Sequence, residues 1–226
     1  ILKKLKEEIR AGIETQQLDD IATEELKRHG VKASFKGYRG FPASLCVSIN
    51  DEVVHGIPSK RKLKAGDIVS LDFGALDNGF HGDAAITVPV GRISPEAQKL
   101  IDVTENALLA GIKAAHNGSR LGDISAAIQN YAESRGFSVV REYSGHGVGR
   151  SLHEDPLIPN FGTPGEGPFM NKGMTFALEP MVNIGSWQTR VADNKWTVLT
   201  ADGSLSAHFE HTIAISDGEP EVLTLQ

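Results

Sequence analysis

The chain has 226 residues, 40% of them apolar and 23% charged, with a formal net charge of −6 at neutral pH. That length can bury a proper core in one large domain or two closely packed halves, and the acidic balance argues against nucleic acid or an anionic membrane as the main partner. The single cysteine, Cys46, rules out an internal disulfide and points to a reducing compartment.

The opening residues Ile1, Leu2, Lys3, Lys4 and Leu5 read neither as a signal peptide nor as an initiator start, which predicts a chain trimmed at its N-terminus. No run approaches the roughly 18 apolar residues of a membrane-spanning helix. Leu18, Ile21, Ala22 and Leu26 share one helical face that Gly30 closes. The basic run Lys60, Arg61, Lys62 and Lys64 reads as a solvated turn. A β-rich stretch covers 67–73, and Asn78-Gly79 after it is a hairpin signal. Ser94-Pro95 reads as N-cap and first residue of a long helix carrying Leu100, Val103, Ala107, Leu108 and Ala114. Ile124, Ala127, Ile128 and Tyr131 mark a further helix ended by Gly136. A second β-rich stretch covers 176–182, and Asp202-Gly203 is a second hairpin signal.

The two parts of the chain echo each other. Leu18-Asp19-Asp20-Ile21-Ala22 matches Leu121-Gly122-Asp123-Ile124-Ser125, and Gly66 precedes Asp72 by the same interval as Gly173 precedes Glu179. His81-Gly82-Asp83 then parallels His208-Phe209-Glu210. Two similar halves commonly set their site where they meet.

Alternate residues of a strand share a face. Asp72 therefore lies with Ser70, opposite Val69, Leu71 and Phe73, and Glu179 lies with Ala177 and Thr175, opposite Phe176 and Leu178. Each strand sets one carboxylate among small residues, leaving room beside it. Taken singly, Asp72 and Glu179 read equally as strand-end residues bonded to loops. That reading weakens because Asp83 and Glu210 follow at hairpin-partner positions, and four converging carboxylates without cations repel one another. Two divalent ions would balance them. The imidazole candidates are His146 and His153, within Ser144-Gly145-His146-Gly147-Val148-Gly149-Arg150-Ser151-Leu152-His153-Glu154-Asp155-Pro156. Glycines around His146 suit close backbone approach rather than helix. The run meets neither a phosphate-cradling G-x-G-x-x-G register nor the H-E-x-x-H of helix-borne zinc sites.

These blocks, with Asn50-Asp51-Glu52-Val53-Val54-His55-Gly56-Ile57-Pro58, Leu178-Glu179-Pro180-Met181 and Phe209-Glu210-His211-Thr212, together resemble type 1 methionine aminopeptidases from about residue 5 onward. The resemblance implies an α/β (α+β) pita-bread fold: one catalytic domain over residues 1–226, with pseudo-symmetric halves (1–93 and 94–226) around a curved antiparallel sheet with flanking helices. It implies Asp72, Asp83, His146, Glu179 and Glu210 as ligands of two divalent metal ions (Mn, Fe, Co or Zn). Glu179 would also be proton acceptor, His153 would stabilise the oxyanion, and His55 would contact the peptide, although a loop-capping role for His55 stays open. Tyr38, Phe41, Cys46, Leu152 and Trp196 match positions that line the methionine pocket, where each also reads as plain core. The implied substrate is the N-terminus of nascent polypeptides with a small second residue; the implied setting is a cytoplasmic monomer with no nucleic-acid or membrane partner, and ribosome association stays open. Two departures stand out: the further N-terminal helical stretch usual in the family is missing, and Arg39 stands where some relatives have histidine. Rival readings are an X-prolyl aminopeptidase or dipeptidase of the same fold, whose members normally carry a large extra N-terminal domain, and a non-catalytic binding module, whose members typically lose ligands.

Overall fold

Helix ends fall where local chemistry places them. Helix α1 (Leu2–Glu8) is short; α2 (Thr15–His29) begins with a reciprocal bond in which the Glu14 N–H donates to the Gln17 side chain at 3.0 Å, and it stops at Gly30 in the left-handed conformation. Helix α3 (Pro95–Ala114) starts under Ser94, whose hydroxyl oxygen accepts from the Ala97 N–H at 3.1 Å. Helix α4 (Leu121–Glu133) is followed by Gly136, with the Phe137 N–H returning to the Ala132 carbonyl. The computed structural model describes residues 1–225.

The strands run β1 (Lys32–Ala33), β2 (Cys46–Ile49), β3 (Glu52–Val54), β4 (Ile68–Asp77) and β5 (Phe80–Pro89) in the first half. The second half holds β6 (Ser138–Val139), β7 (Ser144–Gly147), β8 (Glu154–Pro159), β9 (Thr175–Leu178) and β10 (Met181–Asn183). It continues with β11 (Thr189–Val191), β12 (Val198–Thr200), β13 (Ser206–His208), β14 (Glu210–Ala214) and β15 (Glu221–Val222). The principal sheet is antiparallel in the order β1-β4-β5-β14-β9-β7-β8, with β2 also on β4 and β15 also on β14. Strands β4 and β5 turn at Asn78 and Gly79, both at positive φ, as a two-residue hairpin of this twist demands.

All four helices cover one face of this sheet. Under α1 and α2, Leu5 and Leu18 pack with Val69 and Leu71; under α3 and α4, Leu100 and Ile124 pack with Phe176 and Ile213. Ile86 touches both clusters and welds them. The opposite face carries Ser70, Asp72, Asp83, Ala85 and Ala177, so apolar alternation points the polar set away from the helices.

The halves are pseudo-symmetric down to single hydrogen bonds. Gly12 N–H donates to the Leu63 carbonyl and Thr15 N–H to Arg61; Gly118 N–H donates to Met170 and Leu121 N–H to Pro168. Gly66 N–H reaches Val90, and Gly173 N–H reaches Ile215. These bonds align Thr15 with Leu121 and therefore Leu18 with Ile124, both fully buried. The sequence echo that set Leu18 against Leu121 is thus one helical turn out of step, because it matched helix-opening composition rather than the capping bonds.

The β-rich stretch 176–182 divides at Glu179-Pro180 into β9 and β10, which lie in different sheets, although the pairing register continues from Leu178 opposite His211 to Met181 opposite His208. One further expectation needs correction. Asp202-Gly203 does not close a hairpin. Strand β12 pairs with β11 and β3 while β13 pairs with β10, so this turn hands the chain between sheets. The Asp202 carboxylate accepts from the Ser186 N–H at 2.7 Å and the Ser204 N–H at 3.0 Å.

Strands β7 and β9 approach so closely that a Cβ added at Gly145 would lie 2.4 Å from the Ala177 carbonyl oxygen. Overpacking of this kind costs about 1–3 kcal/mol. Gly145→Ala should lower the melting temperature by several degrees, at about 2–4 °C per kcal/mol for a domain of this size. An unchanged thermal melt would show that the strands separate freely.

Candidate metal centre

Strand register assembles the site. Asp72 on β4 lies opposite Ala85 on β5, and Ala85 lies opposite Glu210 on β14. Residues paired in this way project from the same face, so the Ala85 methyl is all that stands between the two carboxylates. Asp83 is two residues from Ala85 on that face. Further across, His146 on β7 lies opposite Ala177 on β9, and Glu179 follows directly after Leu178. On the other flank Cys46 of β2 faces Asp72. The small residues Ala85 and Ala177 therefore form a floor, and the ionisable groups ring it.

One ligand atom each of Asp83, His146 and Glu210 falls within 4.8 Å of the other two. His146 Nε2 lies 3.5 Å from Glu179 Oε1. The other ring nitrogen, Nδ1, is 2.8 Å from the Gly147 carbonyl, so it carries the proton and Nε2 turns a lone pair into the cavity. Thr212 locks this region by accepting from the Asp83 N–H at 2.9 Å and donating to the Asp83 carbonyl at 2.8 Å.

The electrostatics are unfavourable as they stand. Burial, and then the charge of Asp83, pushes the Asp72 carboxyl well up. Burial raises Asp83 to about 7. Glu179 and Glu210 are also pushed well up, by burial first and by the other carboxylates second. Asp72 Oδ1, Asp83 Oδ1 and Glu210 Oε1 are buried with no hydrogen-bond partner. Buried carboxylate oxygens cost several kcal/mol unless a cation or donor meets them. Hard oxygen donors, a presented imidazole lone pair and a surplus of negative charge fit divalent cations.

The cavity is about 140 Å³, and every residue named above as ligand, catalytic or pocket residue lines it. Phe41, Cys46 and Leu152 form a buried apolar cluster with Tyr38 and Trp196 at its margin; the Phe41 and Trp196 rings meet edge to face at 5.2 Å. His153 stacks on Tyr38 at 5.1 Å and lies 4.2 Å from the His146 ring, centroid to centroid. Its pKa is driven down to about 4, chiefly by desolvation and then by His146, Arg39, His55 and His81, so the ring is neutral at working pH. His55 sits in a left-handed turn against Tyr143, 5.9 Å away, with burial lowering its pKa.

Two residues escaped the sequence reading. Phe35 lines the cavity with no motif to mark it. His208 is 1% exposed, has both ring nitrogens unpartnered, and holds Nε2 3.9 Å from Glu179 Oε2. Its mirror, His81, bonds the Ser34 hydroxyl at 2.9 Å near the cavity mouth. Position two before a carboxylate was the only signal for either, and it does not separate their surroundings.

Two pseudo-symmetric halves with a cation-competent cavity on the uncovered face of an antiparallel sheet define a pita-bread metalloenzyme. The family model described as Metallopeptidase family M24 matches residues 1–217. A methionine aminopeptidase of Clostridium perfringens is 56% identical over 224 residues, covering 99% of this chain and 90% of the relative. The crystal structure of methionine aminopeptidase from Thermotoga maritima superposes with a TM-score of 0.98 at 49% identity, covering 100% of this chain and 91% of that one. A prolidase from Pyrococcus furiosus shares the fold alone, with a TM-score of 0.80 at 20% identity, covering all of this chain and 59% of that one. The chain belongs to metallopeptidase family M24 and, within it, to the methionine aminopeptidases.

Opposite signs are expected for one substitution. Asp83→Asn removes a carboxyl whose pKa burial raises to about 7, so without metal it should stabilise the protein at pH values above about 4, by up to a few kcal/mol at neutral pH. It should also abolish most of the stabilisation of about 2.7 kcal/mol that metal at a hundredfold excess over Kd supplies. Thermal melts with chelator and with Mn²⁺ check both. A less stable metal-free variant that still gains fully from Mn²⁺ would sink the assignment.

Proposed function

We propose that this chain is a metal-dependent aminopeptidase that releases N-terminal methionine from polypeptides whose second residue is small, using two divalent cations. The observation that carries the reading is one cavity with two unlike surfaces: a floor of the buried Asp72, Asp83, His146 and Glu210 with the half-buried Glu179, and an apolar recess of Tyr38, Phe41, Cys46, Leu152 and Trp196 beside it. Four carboxylates balance the charge of two divalent ions. Oxygen-rich ligation with a single nitrogen suits Mn²⁺, Fe²⁺ or Co²⁺, with Zn²⁺ the less matched choice. Newly made polypeptides are the substrate on this reading, and the free buried thiol of Cys46 supports a reducing, cytoplasmic setting. The chain acts as one catalytic domain whose halves divide near residue 93.

Asp72, Asp83, His146, Glu179 and Glu210 would hold the divalent cations, which when bound would supply Lewis-acid polarisation of the peptide carbonyl and activation of water. The remaining work falls to side chains. The apolar recess takes an unbranched thioether chain between aromatic walls. Glu179, partly exposed to the cavity beside His146, would take a proton from the attacking water on a carboxylate oxygen. Neutral His153 donates a ring N–H to the oxygen that gains charge, with its plane fixed by Tyr38. His55 offers its ring to the peptide, and its packing on Tyr143 fixes the direction. The prolyl-peptidase reading shares the floor but gives no use to the thioether-shaped recess.

Metal-loaded protein should release methionine quickly from Met-Ala-Ser, slowly from Met-Lys-Ser and not at all from an acetylated peptide; chelator should stop release, and Mn²⁺ or Co²⁺ should restore it. Norleucine in the first position should still be cleaved, with a loss of about 1–3 kcal/mol in discrimination. Faster cleavage of Ala-Pro-Ala than of Met-Ala-Ser at equal concentration would transfer the case to the prolyl peptidases.

Loss of one preorganised donor costs about 10²–10³-fold in kcat. His153→Ala should show that loss while its metal content per chain stays at the wild-type level. A variant that also loses metal would make His153 a ligand instead.

A further inference from the structure

Arg39 is the one residue lining the cavity that is permanently charged and is not a carboxylate. It sits on a short 3-10 turn, Tyr38–Gly40, with φ 48° and ψ 22°. A non-glycine residue in this left-handed region carries strain that the surrounding fold must hold. The turn is pinned by the Gly37 N–H on the Phe41 carbonyl at 2.8 Å and the Phe41 N–H on the Tyr38 carbonyl at 2.9 Å. The guanidinium carbon lies 5.4 Å from the Tyr38 ring centre, and that ring in turn stacks on His153. The cation is therefore two ring contacts from the group placed beside the reacting carbonyl. Arg39 is exposed and has no anionic partner among the described residues; Arg92, Arg120, Arg135, Arg150 and Arg190 likewise lack one, but of these Arg39 alone lines the cavity.

We propose that Arg39 is a specificity residue that reads a carboxylate on the substrate downstream of the cleaved bond, either an acidic side chain at the third or fourth residue or the C-terminal carboxylate of a short peptide. The proposal rests on the aminopeptidase reading and deepens it. Once divalent cations balance the floor carboxylates, Arg39 remains as the uncompensated charge among the lining residues. The substrate's own N-terminal amine is repelled by it and goes inward. An extended peptide advances about 3.3–3.6 Å per residue, so a guanidinium exposed at the margin of the cavity would meet residues downstream of the cleaved bond rather than the methionine itself. Planar, two-pronged donation is what a carboxylate accepts best.

The test compares kcat/KM for two pairs of peptides on the metal-loaded enzyme: Met-Ala-Asp-amide against Met-Ala-Asn-amide, and Met-Ala-Ser as free acid against its amide. The first pair isolates a side-chain carboxylate and the second a terminal one. At low salt the charged member of at least one pair should be favoured about threefold to tenfold, mainly through KM, as befits a charge-assisted contact at a half-wet rim. The ratio should fall towards unity near 1 M NaCl, where screening shrinks to about 3 Å. Arg39→Asn, chosen because asparagine tolerates the left-handed turn, should bring both ratios to unity within its own peptide set; Arg39→Lys should keep part of the preference. Ratios of unity in the wild type, or a preference that survives in Arg39→Asn, would overturn the proposal while leaving the aminopeptidase reading in place. Failure to release methionine from any of the four peptides would overturn both.

Discussion

The mutual repulsion of four carboxylates in one buried cleft is the interaction around which this molecule is arranged. Asp72, Asp83, Glu179 and Glu210 each raise the cost of ionising the others, and burial raises it further. A flexible scaffold would relieve such strain by letting the groups swing apart. An antiparallel sheet does not, because every residue is fixed by its pairing partners, and the thick layer of helices behind prevents the strands from buckling. The groups answer by retaining protons, which cations must displace when they bind.

The same sheet explains the asymmetry of the surroundings. Where the carboxylates stand, the intervening residues shrink to alanine: Ala85 between Asp72 and Glu210, Ala177 opposite His146. Around the margin of the cavity the side chains are large and aromatic and come from segments outside the strands, as Tyr38, His153 and Trp196 do. Small residues thus stand beside the strand-borne carboxylates and aromatic ones on the segments around them.

Much of this was legible from residues alone, for a physical reason. A carboxylate inside an apolar alternation is costly, so Asp72 and Glu179 announce a compensating partner, and strand periodicity gives the face they share. The Ser94 cap of α3 and the glycines that follow α2 and α4 were equally legible because caps are local bonds. What escaped depends on which strand meets which. The Asp202-Gly203 turn carries good hairpin chemistry, but the strands on either side find other neighbours, β3 for one and β10 for the other. His208 and His81 hold the same position before a carboxylate, yet one is sealed beside Glu179 and the other bonds a serine at the rim. Local chemistry says that a turn or a polar group exists; only the assembled sheet says what it touches.

The place of β14 in the sheet has a temporal meaning. It lies between β5 and β9 and joins the halves, yet in chain order it follows every other strand that bears on the floor. Until it inserts, β5 and β9 each present an open edge, and Asp83 has neither its Thr212 clasp nor its Glu210 neighbour. Pairings between residues so distant in sequence form slowly, and open edges in the meantime invite wrong partners. In chain order the floor is thus completed by its keystone rather than by its walls, and a chain truncated before β14 would be a half-zipped sheet that lacks Glu210 and the Thr212 clasp.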